Sequence, residues 1–385
     1  MQPSSSSFSA PSTPPSAPLY APSPARFSPA IWYYLRLHAG HFHLDNIALH
    51  RDYDSAMSIN DPAALKQIYS LGQGFPKSDW YTAWSPTAAR SLFSAQDQKA
   101  HSAMRRKFQA TYSMSSLVKY EAFVDTCTAL FRKHLAERAG DGTEMDLAWW
   151  MNCYATDTVA MISSSQRLGD LDAGEDVGDL AKTLHGGLAY VSLVGIFAEW
   201  HLPLMNLMAH LRALGLTKGS PRMIVNDFVL RVMGERRQHR AAREKVHADL
   251  ATAAADETTP RDMLDKFLDF HENAPDHFTD TDISVGLSAN VVAGADTTAA
   301  SLSAVLYYLL KNPRTFLRLR ADLDAGTAAG TLSSPVTFKQ AQDLPYLQAV
   351  VQEALRLHPA VGLPLERVVP PPGAELCGRW FPLTP

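Results

Sequence analysis

From Thr279 to Lys311 the sequence reads as one unbroken, largely apolar helix, and this stretch restricts the fold more than any other. Thr279 stands where an N-cap belongs, with Asp282 three residues on as a variant capping box. Asp280 and Asp282 fall in the first turn, where the helix macrodipole favours acids. Asn312 precedes Pro313, and a residue before proline avoids the helical region, so the helix ends there. A helix of this length spans roughly 48 Å at 1.5 Å per residue. It can cross a whole domain, and being apolar almost all round it must be buried.

At its centre lies "VVAGADTTAAS", residues 291–301. Gly294 costs about 1 kcal/mol against alanine in a helix interior. Asp296 is an acid in an apolar interior, which is costly without a partner. Thr297 and Thr298 are β-branched and offer hydroxyls to the backbone. Close packing against a neighbouring helix accounts for Gly294 with its alanines. Asp296 next to Thr297 adds another reading: an acid beside a hydroxyl can hold water and pass protons. Thr298 reads as a packing residue whose hydroxyl bonds back within the helix.

Periodicity predicts further helices over about 61–71, 98–109, 115–138, 145–163, 178–197, 221–247, 260–271, 313–324 and 345–357. Strand-like material is limited to 55–60 and a hairpin-like tail over 365–381, with turn signals at "PPPGA". The first segment, to about residue 25, is Ser/Pro/Ala-rich and is expected to be disordered. The remainder, 26–385, reads as a single mainly α domain with small β-sheets.

A formal net charge of −4 gives no reason to expect a nucleic acid partner. Three cysteines, Cys127, Cys153 and Cys377, lie far apart, which argues against a disulfide framework or a zinc site. No continuous run approaches the roughly 18 apolar residues that span a bilayer, and the start lacks the form of a signal peptide, so no membrane anchor is expected in this chain. Further on, "QEALRLHP" places Glu353 and Arg356 three apart on one helix face, where they can pair. Alone, such a pair is weak evidence, since it is most simply a surface ion pair worth under about 1 kcal/mol.

Taken in order, the segments "SINDPAALKQIY", "GFPKSDWY", "KAHSAMRRKFQATYS", "AGADTT", "LPYLQAVVQEALRLHP" and "GLPLERVVPPPGAELCGRWFP" resemble those of a cytochrome P-450, a haem-thiolate monooxygenase of filamentous-fungal type. The resemblance covers roughly 45–385. It implies the mainly α cytochrome P-450 fold and a haem cofactor. It makes Asp296 and Thr297 the acid–alcohol pair that feeds protons to dioxygen at the haem. Ala293 and Gly294 become the small residues over the haem face, and Glu353 with Arg356 the E-x-x-R pair. His101, Arg105 and Arg367 would hold haem propionates, which as anions attract cations. Without the resemblance, His101 and Arg105 would read as an exposed polar helix face.

The resemblance also implies a cysteine thiolate on iron, in a loop of pattern F-x-x-G-x-R-x-C-x-G after the E-x-x-R helix. That pattern does not occur up to Pro385. Cys127 and Cys153 read as core thiols, and Cys377 matches a β-hairpin position. The expectation is therefore a C-terminally incomplete cytochrome P-450 domain, with the ligating cysteine beyond the C-terminus, no metal ligand within it, and no activity of its own. Alternatives are a non-catalytic fragment and a helical interaction module. By resemblance, the electron donor is an NADPH-dependent reductase, the metabolism fungal and secondary, and the usual location the endoplasmic reticulum membrane. Without an anchor, this chain would be cytoplasmic. The specificity segments, 75–95 and 178–220, carry Tyr190, Phe197, Trp200 and Leu204, which suits a small lipophilic substrate.

Overall fold

The computed structural model describes residues 29–40, 42, 44–45, 59, 61–70, 74–85, 90–216, 221–249, 261–363 and 365–382. The Ser/Pro-rich start and most of the expected strand at 55–60 lie outside them. Among the described residues twelve helices have eight or more residues: α1 Pro29–His38, α2 Pro62–Tyr69, α3 Gln98–Phe108, α4 Glu121–Asp141, α5 Leu147–Ser164, α6 Leu180–Val194, α7 Ala198–Ala213, α8 Pro221–Asp249, α9 Met263–Asn273, α10 Asp280–Lys311, α11 Pro313–Ala328 and α12 Pro345–Leu357. One hairpin follows, β1 Gly373–Leu376 and β2 Arg379–Pro382. The mainly α fold class expected from sequence is the one observed.

The chain divides into two compact units. The smaller contains α1, α2 and the hairpin. Asp61 caps α2 by accepting from Ala63 N at 2.8 Å. The hairpin pairs Leu376 with Arg379, so Cys377 and Gly378 form a two-residue turn. Both have positive φ, 51° and 75°, which is what a tight hairpin of this hand requires. The turn therefore lies past the "PPPGA" signal, because prolines lack the N–H that a ladder needs. Cys377 N donates to Gln67 Oε1 of α2 at 3.3 Å.

The larger unit, residues 74–370, is built on α10. The expected capping box is present: Thr279 Oγ1 accepts from Asp282 N while Asp282 accepts from Thr279 N. One stripe of α10, Ile283, Leu287, Val291, Ala295 and Ala299, recurs every fourth residue and is buried. It meets Phe108 of α3 and Phe267 of α9, whose ring centroids lie 5.5 Å apart edge-to-face. The most extensive contact of α10 is along α5.

Two helices escaped the sequence reading. α7 carries Pro203 inside it, a residue that argues for a break, and α1 follows directly on the Ser/Pro tract. The helix read over 115–138 is divided: a turn at Met114–Leu117 and a 3₁₀ turn at Val118–Tyr120 precede α4. Together α6 and α7 form an apolar segment, Leu180–Ala213, long enough by composition to cross a membrane, with only 17% of its most apolar window buried. Glycine, serine and histidine are interspersed along it, so no continuous apolar run marks it in the sequence.

Candidate active site

Opposite its buried stripe, α10 faces a chamber of about 1660 Å³. Ser288, Val292, Ala293, Asp296, Thr297 and Ala300 of α10 line it, as do α5, α6 and α8. The chamber is larger than the few hundred to about 1000 Å³ usual for a single drug-sized ligand. It has room for a flat cofactor as well as a substrate. Its lining is mainly apolar, with Trp80, Trp84 and Phe93 closing one side.

Asp296 is the polar centre of this wall. Its side chain is 14% exposed, and Oδ1 accepts from Asn152 Nδ2 of α5 at 3.0 Å. His185 Nε2 of α6 lies 3.3 Å from the same oxygen. Three helices thus converge on one carboxylate, which answers how an acid is tolerated here. Thr297 Oγ1 donates to Ala293 O at 2.6 Å. The back-bond expected of Thr298 is thus made by Thr297, and among the described residues Thr298 has no side-chain hydrogen bond.

Gly294 and Ala293 part company. Ala293 lines the chamber. Gly294 faces α5, where an added Cβ would fall 2.6 Å from Val159 Cγ2. The close approach of two helices explains the glycine, which is not among the residues lining the chamber.

Four cations gather behind Phe93 and Leu365, which line the chamber, while none of the four lines it itself. Residues 77 and 367 form an isolated antiparallel bridge, and Val368 N donates to Pro76 O at 2.8 Å. Lys77 Nζ donates to the carbonyls of Leu92 and Phe93, at 2.9 and 2.6 Å. Arg367 Nη1 donates to Tyr81 Oη at 2.9 Å and to Leu365 O at 3.3 Å. His101 and Arg105, one turn apart on α3, complete the group. Burial, then the nearby Arg367, brings Lys77 down to about 8. Burial, then Lys77, Arg105 and Arg367, lowers His101 as well. The four cations thus sit close enough to lower one another's affinity for a proton. Lys77 was not singled out in the sequence, although it lies within the quoted "GFPKSDWY". Its signal was a lysine in a strand-like segment flanked by aromatics.

The other expected residues lie apart from the chamber. Glu353 and Arg356 form the expected pair on α12, Arg356 Nε to Glu353 Oε2 at 2.7 Å and Nη2 to Oε1 at 2.8 Å. Their side chains are 56% and 66% exposed. Tyr190, Phe197, Trp200 and Leu204 do not line the chamber, and Trp200 is 59% exposed. The residues of that segment that do line it, among them Leu184, Leu188 and Val191, come from α6.

A haem needs an apolar slot, cations for its propionates and an axial ligand. The chamber and the four cations fit the first two. None of the three cysteines lines the chamber. Cys127 and Cys153 are fully buried, where burial raises the first thiol and pushes the second up to about 12. Cys377 belongs to the smaller unit. The axial thiolate is thus the one requirement that the chamber's residues do not meet.

Fold and site define a class: a helical protein whose central helix walls a large, mainly apolar chamber. The chain belongs to the cytochrome P450 family, whose sequence model matches residues 41–378. It is 31% identical over 350 residues to a cytochrome P450 monooxygenase of Aspergillus terreus, covering 87% of this chain and 68% of that protein. It is 32% identical over 363 residues to a pisatin demethylase of Fusarium vanettenii, covering 91% and 66%. A crystal structure of a cytochrome P450 superposes with a TM-score of 0.59 at 16% identity, covering 78% of this chain and 60% of that one. The chain therefore spans about two thirds of the length of the curated relatives it matches.

Proposed function

We propose that this chain carries the oxygen-activating wall of a haem-dependent monooxygenase acting on a lipophilic organic substrate in fungal secondary metabolism. The observation that carries the reading is the cluster of Lys77, His101, Arg105 and Arg367 beside the chamber. Haem, when bound, supplies the oxygen activation and draws electrons from an NADPH-dependent reductase. Lys77, His101, Arg105 and Arg367 hold its propionates. Asp296 and Thr297 are the acid and the alcohol of the reaction. Asp296 is anchored by Asn152 through Oδ1, while Thr297 takes up its position through Ala293 O. Ala293 keeps the slot narrow and apolar. Glu353 and Arg356 brace α12 as a structural pair.

Family members usually sit at the endoplasmic reticulum membrane, and the largely exposed apolar segment Leu180–Ala213 supports a location at a lipid surface. None of the three cysteines lines the chamber, and none of them is read here as the axial ligand of the haem. The test is the spectrum of the purified chain with haem, reduced under carbon monoxide. The expected result is no thiolate-type Soret band. A full-intensity thiolate band that Cys377→Ala abolishes would make Cys377 the ligand and overturn this reading of the chain.

A further inference from the structure

The polar corner of the chamber has acceptors to spare. Asn152 is 7% exposed and gives Nδ2 to Asp296, which fixes its amide and leaves Oδ1 as an acceptor. That Oδ1 is buried and has no hydrogen-bond partner. Asp296 Oδ2 is likewise buried and without a partner. Both side chains line the chamber. Buried polar atoms in folded proteins nearly always find partners, and an acceptor left without one costs its lost hydration. Two acceptors, one on α5 and one on α10, are therefore left without donors from the described residues. His185 does not meet the need, because its Nε2 approaches the other oxygen, Asp296 Oδ1.

We infer that the ligand of this chamber carries a hydrogen-bond donor, a hydroxyl or an ammonium, which docks on Asn152 Oδ1 and Asp296 Oδ2. This rests on the chamber's being the substrate site proposed above. It narrows the substrate class from lipophilic molecules at large to those with a donor on an apolar frame. The apolar part lies along Val292, Ala293 and Ala300, and the donor fixes which edge of the molecule turns towards α5. A site built around unpaired polar groups rejects the analogue that lacks the matching group far more strongly than an apolar pocket rejects a methylene.

The experiment is isothermal titration of the full chain with three probes on one frame: 2-naphthol, 2-methoxynaphthalene and 2-naphthylmethylamine. The naphthol is expected to bind roughly tenfold tighter than its methyl ether, the size of one net hydrogen bond. If the amine exceeds the naphthol, the donor is an ammonium; if it falls below, a hydroxyl; either ordering above the ether supports the inference. In Asn152→Ala/Asp296→Ala the preference should shrink to near unity. An ether that binds as tightly as both donor probes shows that water fills the corner and overturns the proposal. So does a preference unchanged in the double variant, and so does no detectable binding of any probe. Where the double variant fails to fold, the three probes on the unaltered chain decide alone. No step uses haem, so the two readings fail separately. A chain that prefers donors but never binds haem refutes the monooxygenase reading alone. One that binds haem but accepts the ether equally refutes only this inference.

Discussion

Substituting Gly294 by alanine separates the two roles that its motif could have. In a helix interior the change gains about 1 kcal/mol of propensity. Against that, the new Cβ would lie 2.6 Å from Val159 Cγ2 and 3.3 Å from Val159 Cβ. Valine is short and stiff at χ1, so relief requires a rotamer change or separation of α5 from α10. Overpacking of this kind costs about 1–3 kcal/mol. The net expectation for Gly294→Ala is between no change and a loss of about 2 kcal/mol. In a Val159→Ala background only the 3.3 Å approach to Cβ remains, which a small shift relieves, and the same substitution should stabilise by up to about 1 kcal/mol. Urea unfolding of the four members of this cycle measures both numbers. A change of sign between the two backgrounds is the signature expected of helix contact. If Gly294→Ala stabilises equally in both, the helices do not meet through this glycine and the reasoning fails.

Two further substitutions test the supports of the site. Asp262 is fully buried and takes Arg236 bidentately, Nη2 to Oδ2 at 2.7 Å and Nη1 to Oδ1 at 3.1 Å. Asp262→Ala should cost about 3 kcal/mol in urea unfolding, the lower end for a broken buried pair because Asp265 still faces Arg236; a loss under about 1 kcal/mol would contradict it. Burial raises Asp170 to about 7, above its unfolded value, so folding favours its protonated form. That contribution is complete below about 4 and is lost as pH rises to about 7. Asp170→Asn should therefore gain stability relative to the parent across that window, and a flat difference between the two pH profiles would contradict the assignment.

Much of the larger unit was legible because α10 states its own limits: a capping box at Thr279, Pro313 after its end, and a buried stripe of period four. The Glu353–Arg356 pair was equally legible, since both members lie one turn apart on one helix. What escaped depends on contacts distant in sequence. Gly294 could be read as a packing residue or a ligand-facing one until Val159, on another helix, was found against it. The partners of Asp296 come from α5 and α6, and neither "WMNCYAT" nor "LHGGL" announces them. Lys77 joins His101 and Arg105 only because residues 77 and 367 form a bridge. In the specificity segment, apolar residues surround α6 on most sides, so periodicity could not say which face met the chamber. Tyr190 and the lining Val191, neighbours on α6, were equally eligible.

The central claim is that the cluster of Lys77, His101, Arg105 and Arg367 holds the carboxylates of a haem. The most direct measurement is titration of the full chain with ferric protoporphyrin IX and, in parallel, with its dimethyl ester, whose propionates carry no charge. Charge-assisted hydrogen bonds contribute about 1.5–3 kcal/mol each, so the free acid should bind at least about tenfold tighter. That preference should fall in Arg105→Met, and it should fade as pH rises beyond about 8, where Lys77 loses its proton. An ester that binds as tightly as the acid, with no dependence on Arg105 or on pH, would contradict the account.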